Sequence, residues 1–340
     1  MVETRITWRA NEGSSAVGSR SLLRDTPTRS APTPSAPRST DQLFSAFVQD
    51  RIELTKSFSF VLGSKFEHNA YTGFEYEPSA QLLWTPTARQ TAWLSVARAI
   101  RQPSRADIGV SSAVASLPLQ NGMLGILTAQ GNPKVKAEAL RDYEIGYRAQ
   151  LSNQLSLDIA TYYSQYRRLE TLEPWAPVPA ANAAGPYLVL PLVFANKAHA
   201  NDYGAEIFAN WNVTSRWRLS PGFSAIHMHI GLDPSSLGTV SEGLEGDTPK
   251  CRFQFRSLLR LPHNLDWDSS LYFVARLPDQ GIPQYTRVDS RLGWRLGEFV
   301  ELSVVGQNLL RPQHFEFANA YQVYSTQVKR SVYAKITWRF

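Results

Sequence analysis

The sequence predicts an all-β protein, an antiparallel transmembrane β-barrel. Three observations predict it. Polar and apolar residues alternate with period two over most of the chain, the alternating stretches run to about 10–13 residues, and tight turns alternate with long links. Globular strands are usually about 5–6 residues long. Tilted strands of about 9–11 residues are what a bilayer requires.

Taken in order, residues 1–42 read as a flexible N-terminal segment, because 11–41 are rich in Ser, Pro, Thr and Arg. Within it, "VETRITWR" carries the strand alternation and would add a fourteenth strand to the thirteen that follow. Those are expected at 43–54, 57–68, 74–85, 90–99, 138–151, 154–167, 201–213, 216–230, 250–262, 265–276, 284–296, 299–310 and 329–340. Tight links such as "TK", "SN", "TS", "HN" and "GE" alternate with long loops near 100–137, 168–200, 231–249 and 311–328. One end of the sheet is therefore short-turned and the other loop-rich, the asymmetry of outer-membrane barrels.

The faces follow from the alternation. In "LRDYEIGYRAQL", Tyr143, Ile145, Tyr147 and Ala149 oppose Asp142, Glu144, Arg148 and Gln150. In the next strand Leu155, Leu157, Ile159 and Tyr163 oppose Ser156, Asp158, Ala160 and Tyr162. The apolar set is assigned to lipid. The charged set, including Glu144, Arg148, Asp158, Glu206, Arg252, Arg256, Asp289 and Arg291, is assigned to a wet lumen wall whose charges pair across strands. At the end, Val332, Ala334, Ile336, Trp338 and Phe340 alternate with Tyr333, Lys335, Thr337 and Arg339.

Composition excludes several classes. Hydrophobic residues are 43% of the 340, and no apolar run approaches the ~20 residues of a membrane helix. A barrel escapes that criterion because alternation dilutes its apolar residues. The net charge of +6 has no dense basic run behind it, so nucleic acid is not an expected partner. Cys251 is alone and cannot form an intrachain disulfide. His227 and His229 lie two apart on a face with Trp217 and Phe223, and read as rim residues without a third metal ligand. "NVT" at 212–214 matches a glycosylation acceptor pattern only nominally. No nucleophile elbow, phosphate loop, zinc spacing or paired-carboxylate motif is visible, so neither an enzyme nor a cofactor is expected. The N-terminus "MVETRITWRA" carries no signal-peptide pattern.

Several stretches resemble TonB-dependent outer-membrane receptors. They are "AFVQDRIELTKSFSFVLGSKFEHNAYTGFEYEPSAQLLWTP", "TAWLSVARAIRQPSRAD", the "E-x-G-Y-R" strand at 144–148, the "Y-G-x-E" strand at 203–206 and the hairpin leading into "NLL" at 308–310. The resemblance spans about 43–340. It implies a bacterial outer-membrane receptor that imports a scarce nutrient, most often a ferric siderophore, with energy passed through TonB. The family has a plug domain and a 22-stranded barrel, so the resemblance gives the inward charges a second, compatible reading, a wall that docks a plug through hydrogen bonds and ion pairs. This chain shows no plug or TonB-contacting box and is expected to be a C-terminal, truncated barrel portion over 43–340, inactive alone, with TonB acting only through the absent plug. Family ligands bind at the loop-rich end against aromatic and Arg side chains. Tyr71, Arg101, Arg105, Arg167, Arg168, Trp175 and Tyr187 are the candidates for an iron chelate here. Outer-membrane lipid, lipopolysaccharide and the barrel-assembly machinery are the other implied partners, the last reading a terminal signal of Tyr333, Trp338 and Phe340. A passive porin-like or structural barrel is the alternative.

Overall fold

The computed structural model describes residues 5–11, 41–120, 122–238, 242–318 and 326–339. Most of the expected flexible segment and Phe340 lie outside them. The wall strands are Arg5–Asn11 (β1), Leu43–Glu53 (β2), Phe58–Asn69 (β3), Gly73–Thr87 (β4) and Gln90–Arg101 (β5). Next come Glu138–Gln150 (β6), Leu155–Pro174 (β7), Gly185–Thr214 (β8) and Trp217–Leu232 (β9). The last five are Cys251–Leu261 (β10), Leu265–Val274 (β11), Tyr285–Leu296 (β12), Val300–Gln307 (β13) and Ser331–Trp338 (β14).

Each wall strand pairs antiparallel with the next, from β1 to β14. Every expected strand is found, and Arg5–Asn11 adds the fourteenth by pairing with β2. Among the described residues no residue-by-residue ladder joins β14 to β1 or β2, so the barrel is partial.

Two expected loops are largely strand. Residues 168–200 continue β7 to Pro174 and begin β8 at Gly185, with a short strand Val178–Asn182 folded back on β8. Residues 102–137 hold a short helix, Arg105–Gly109, and a hairpin, Ser111–Pro118 with Leu124–Gln130. Leu124–Gln130 runs parallel beside Tyr187–Val193. The alternation breaks at the positive-φ residue Arg168 and again between Ala195 and Ala200, which hid these strands from a period-two reading.

The registers sort the side chains into the two anticipated faces. Leu94, Ile145, Thr161 and Ala205 lie opposite one another across β5 to β8 on the outer face. Leu94 is 55% exposed and Ile145 59%. A sandwich or propeller would bury such a row. A lipid-facing wall exposes it. Outward aromatics cluster at two levels. Trp84, Trp211, Trp217, Trp267, Trp294 and Trp338 lie near the short-turned end, and Tyr76, Tyr143, Tyr163 and Tyr203 toward the other. Tyr203 and Trp211 lie eight residues apart on β8, about 26 Å along a strand. At a tilt of about 40° that is roughly 20 Å of height, close to the ~25 Å apolar band of such barrels.

The inner face is smoothed by glycine. Trp93, Tyr162 and Phe208 point inward directly opposite Gly146, Gly204 and Gly222. A Cβ at any of the three would overlap the ring across from it. The rings therefore lie flat on neighbouring backbone, and the wall stays thin where it bears large aromatics.

Candidate functional site

The loop-rich end is a built mouth. Its core is the upward continuation of β7 and β8 beyond the Tyr143–Tyr163–Tyr203 level, where β7 carries Arg167, Arg168, Glu170 and Glu173 and β8 a mostly apolar run from Tyr187 to Phe194. Two amides fasten the returning 102–137 segment to it. Asn132 Nδ2 donates to the Phe194 carbonyl at 2.9 Å. Asn196 accepts from the Lys136 N–H at 2.7 Å and donates to the Arg168 carbonyl at 2.8 Å.

A charged latch joins the short helix to the same wall. Ser104 caps the helix and exchanges hydrogen bonds with Asp107 in a capping box. Arg101 binds Glu138 through two bonds of 2.7 Å and reaches Glu170 at 3.5 Å. Glu170 is pushed up to about 7 by burial first, then by the neighbouring Asp107 carboxylate, with which it shares a hydrogen bond; Arg101 pulls it the other way. Glu170 thus keeps its proton up to about neutral pH.

A second anchor lies nearby. Burial alone would raise the Glu173 carboxyl, but hydrogen bonds from the Leu237 N–H (2.8 Å) and the Ser236 hydroxyl (2.7 Å) outweigh it and hold the group low. Lys197 lies 3.6 Å away. At the β3–β4 tip, Tyr71 donates to Asp41 at 2.7 Å, and burial with that bond raises its hydroxyl to about 12.

The seven mouth candidates do not form one cluster. Tyr71 and Arg105 come close enough for the Arg105 charge to act on the Tyr71 hydroxyl. Arg101 is engaged by Glu138 and Glu170. Arg167 faces outward, opposite Ala139, and Arg168 forms the bulge. Trp175, 68% exposed, sits atop β7, and its N–H bonds the Pro191 carbonyl at 2.9 Å. Tyr187 stands in β8 between Ala180 and Leu124. His227 and His229 lie on the outer face, the first 5.1 Å from the Tyr203 ring and the second 3.0 Å from Glu245. Glu138, Glu170, Asp107 and Glu173 escaped the sequence reading because partners up to 69 residues apart make their sites.

Below the mouth the inner wall is wet and mostly paired. Arg148 meets Asp158 at 2.5 Å, Arg287 meets Asp289 at 2.8 Å and Arg295 meets Asp266 at 3.2 Å. Arg291 bridges Asp268, at 3.0 Å, and Glu301. Glu144 accepts from the Trp93 indole. Among the described residues Glu206, Arg252 and Arg256 make no ion pair.

These features define a class: a lipid-facing β-barrel wall with a short-turned end, a built mouth and a charged interior. The family model "TonB dependent receptor-like, beta-barrel" matches residues 4–309, and the chain belongs to that family. No curated protein matches it. Among solved structures it resembles the siderophore receptor PirA from Acinetobacter baumannii, with a TM-score of 0.70 at 17% identity over 90% of this chain and 47% of that one. A mutant of the ferric enterobactin receptor PfeA from Pseudomonas aeruginosa gives 0.67 at 18% identity, over 88% and 45%. The FrpB iron transporter from Neisseria meningitidis gives 0.64 at 14%, over 88% and 46%. The chain spans about half the length of these structures.

Proposed function

We propose that the chain forms a C-terminal wall of an outer-membrane receptor that takes up a scarce nutrient, a ferric siderophore before other candidates, with energy delivered through TonB. The carrying observation is one-sidedness. All the tight turns that alternate with the mouth loops lie at one end, and the other end is a latched mouth opening onto a charged inner wall. A passive pore does not need a mouth fastened by the Asp107–Glu170–Arg101–Glu138 latch. Family membership and the siderophore and iron receptors among the structural neighbours support the substrate class.

Within this reading Tyr71, Arg105 and Trp175 are the mouth residues that contact ligand, and Tyr333, Trp338 and Phe340 carry the assembly signal. Lipid cannot satisfy an open strand edge, so this wall transports only when further strands complete it. The test is growth of an iron-limited deletion strain carrying the full-length gene, supplied in turn with a panel of iron chelates. Rescue by one chelate class, lost when TonB is removed, is expected. Rescue that is unsaturable and independent of TonB would replace the reading with a passive porin.

A further inference from the structure

Lys65, Arg101, Arg148, Arg287, Arg291 and Arg295 are paired inward cations. Apart from Arg51 and Lys335, the unpaired ones among the described residues are concentrated on two strands. Arg252, Arg256 and Arg260 recur every fourth residue on β10, all inward and all exposed. Arg218 lies inward on β9, opposite Leu258 and so between the levels of Arg256 and Arg260. None of the four makes an ion pair among the described residues. Arg218 donates only to the Asn212 amide oxygen, at 2.9 Å. Asp266, opposite Arg260, is held by Arg295. Glu206 is level with Arg252, but with β9 between them. At about 4.8 Å per strand the two are roughly 10 Å apart, beyond ion-pair reach.

The direct cross-strand neighbours of Arg252 and Arg256 are small or neutral. Arg252 lies beside Ser224, and Arg256 between Ser220 and Ser270. A concavity of about 330 Å³ at the Arg252 level is lined by Glu206, Phe208, Gly222, Ser224, Gln254 and Tyr272. Another, of about 320 Å³, surrounds Arg218 and Arg260; Asp266 and Asp268, which also line it, are held by Arg295 and Arg291. From Arg252 to Arg260 the column covers eight residues, about 26 Å along the strand. Unpaired guanidinium groups at stepped heights are a fixed track for a solute with several carboxylate or other oxyanion groups.

We propose that Arg252, Arg256, Arg218 and Arg260 form a binding ladder for a polyanionic small solute, which leaves the mouth and descends along β9 and β10. This rests on the uptake reading above and extends it from the mouth to the inner wall. The charge complementarity singles out the occupant: multivalent, acidic and small enough to be handed from one arginine to the next.

The test measures binding of ferric citrate, an anionic probe, to the full-length gene product in detergent micelles, by equilibrium dialysis. A neutral ferric trihydroxamate serves as the comparison probe. Replacing Arg252, Arg256 and Arg260 together by Gln should weaken ferric citrate binding at least about 30-fold, at roughly tenfold or less per charge-assisted contact. The triple Lys variant should stay within about threefold. Binding of the neutral probe should be unchanged, and Arg51→Gln, which removes an exposed cation on β2, away from the ladder, should have little effect. A triple Gln variant that binds ferric citrate as the parent does overturns the ladder, as does a parent that binds neither probe or fails to prefer the anionic one. Circular dichroism of the Lys variant guards against mistaking misfolding for lost binding. In the full-length gene, triple-Gln rescue of growth equal to the parent would sink the ladder and leave the receptor reading intact. Failure of the parent gene to rescue with any chelate would sink the receptor reading itself.

Discussion

Substitution of Ile207 by Arg tests the face assignment most directly. Ile207 is 42% exposed on the outer face, opposite Ile159 on β7 and Phe223 on β9. It lies four residues from Tyr203 and four from Trp211. At about 3.3 Å per residue and a tilt of about 40°, each girdle is roughly 10 Å away in height. An Arg placed there cannot bring its whole charge to either interface by snorkelling. The full midplane cost of about 2–4 kcal/mol applies, a change of about 30- to 900-fold in the folding equilibrium. The control is Asp158→Arg, inward on β7. It loses the pair with Arg148, whose side chain is 69% exposed, and opposes two like charges. Those terms together cost about 1–1.5 kcal/mol or less. Equilibrium urea titration of folding into lipid vesicles, followed by Trp fluorescence, reads both. Equal costs, or a larger cost at Asp158, would refute the assignment of lipid and lumen.

Three further outcomes are expected. Gly146→Ala should lift the Trp93 ring, break its bond to Glu144 and cost about 1–3 kcal/mol by overpacking, with a shifted Trp emission; Trp93→Ala in the same chain should restore much of the loss. Arg291→Gln should leave Asp268 and Glu301 without their shared cation and reduce stability at neutral pH, while Arg216→Gln, in the β8–β9 turn, should be neutral in the same urea titration. Because Glu170 titrates near 7 in the folded wall and lower when unfolded, the folded state holds the extra proton. The Glu170 contribution is therefore fully present below about pH 4.5 and is lost as pH rises through 7. Proteolysis of 102–137 should be faster at pH 8 than at pH 6, and Glu170→Gln should abolish that difference.

The wall was legible in the sequence because a sheet with lipid on one face and water on the other writes its geometry as period two. "LRDYEIGYRAQL" needs no partner to declare that Ile145 and Glu144 point opposite ways. The alternation of tight and long links declared the two ends. The mouth was not legible, because its order comes from contacts distant in sequence. Leu124–Gln130 settles beside Tyr187–Val193 across some sixty residues, and the Arg168 bulge interrupts the alternation where β7 continues. Candidate ligand residues chosen by type and loop position were accordingly scattered. Arg167 was drawn to the outer face and Arg101 into the latch, while the acids that fasten the mouth carried no local signal.

The inner wall shows why charge must be read by strand and not by total. On β6 to β8 the inward carboxylates Asp142, Glu144, Asp158, Asp202 and Glu206 outnumber the cations, with Arg148 among them. On β9 to β12 the inward arginines Arg218, Arg252, Arg256, Arg260, Arg287, Arg291 and Arg295 outnumber the carboxylates Asp266, Asp268 and Asp289. The net charge of +6 conceals this division. Two charge patches on different sectors of one curved wall set up a field across the lumen and not along it. An anion entering from the mouth is pushed from the β6–β8 sector and drawn to β10, where the cations are unpaired. Its path then follows a side wall, so removing the β10 arginines changes descent while the latch and the mouth stay as they are.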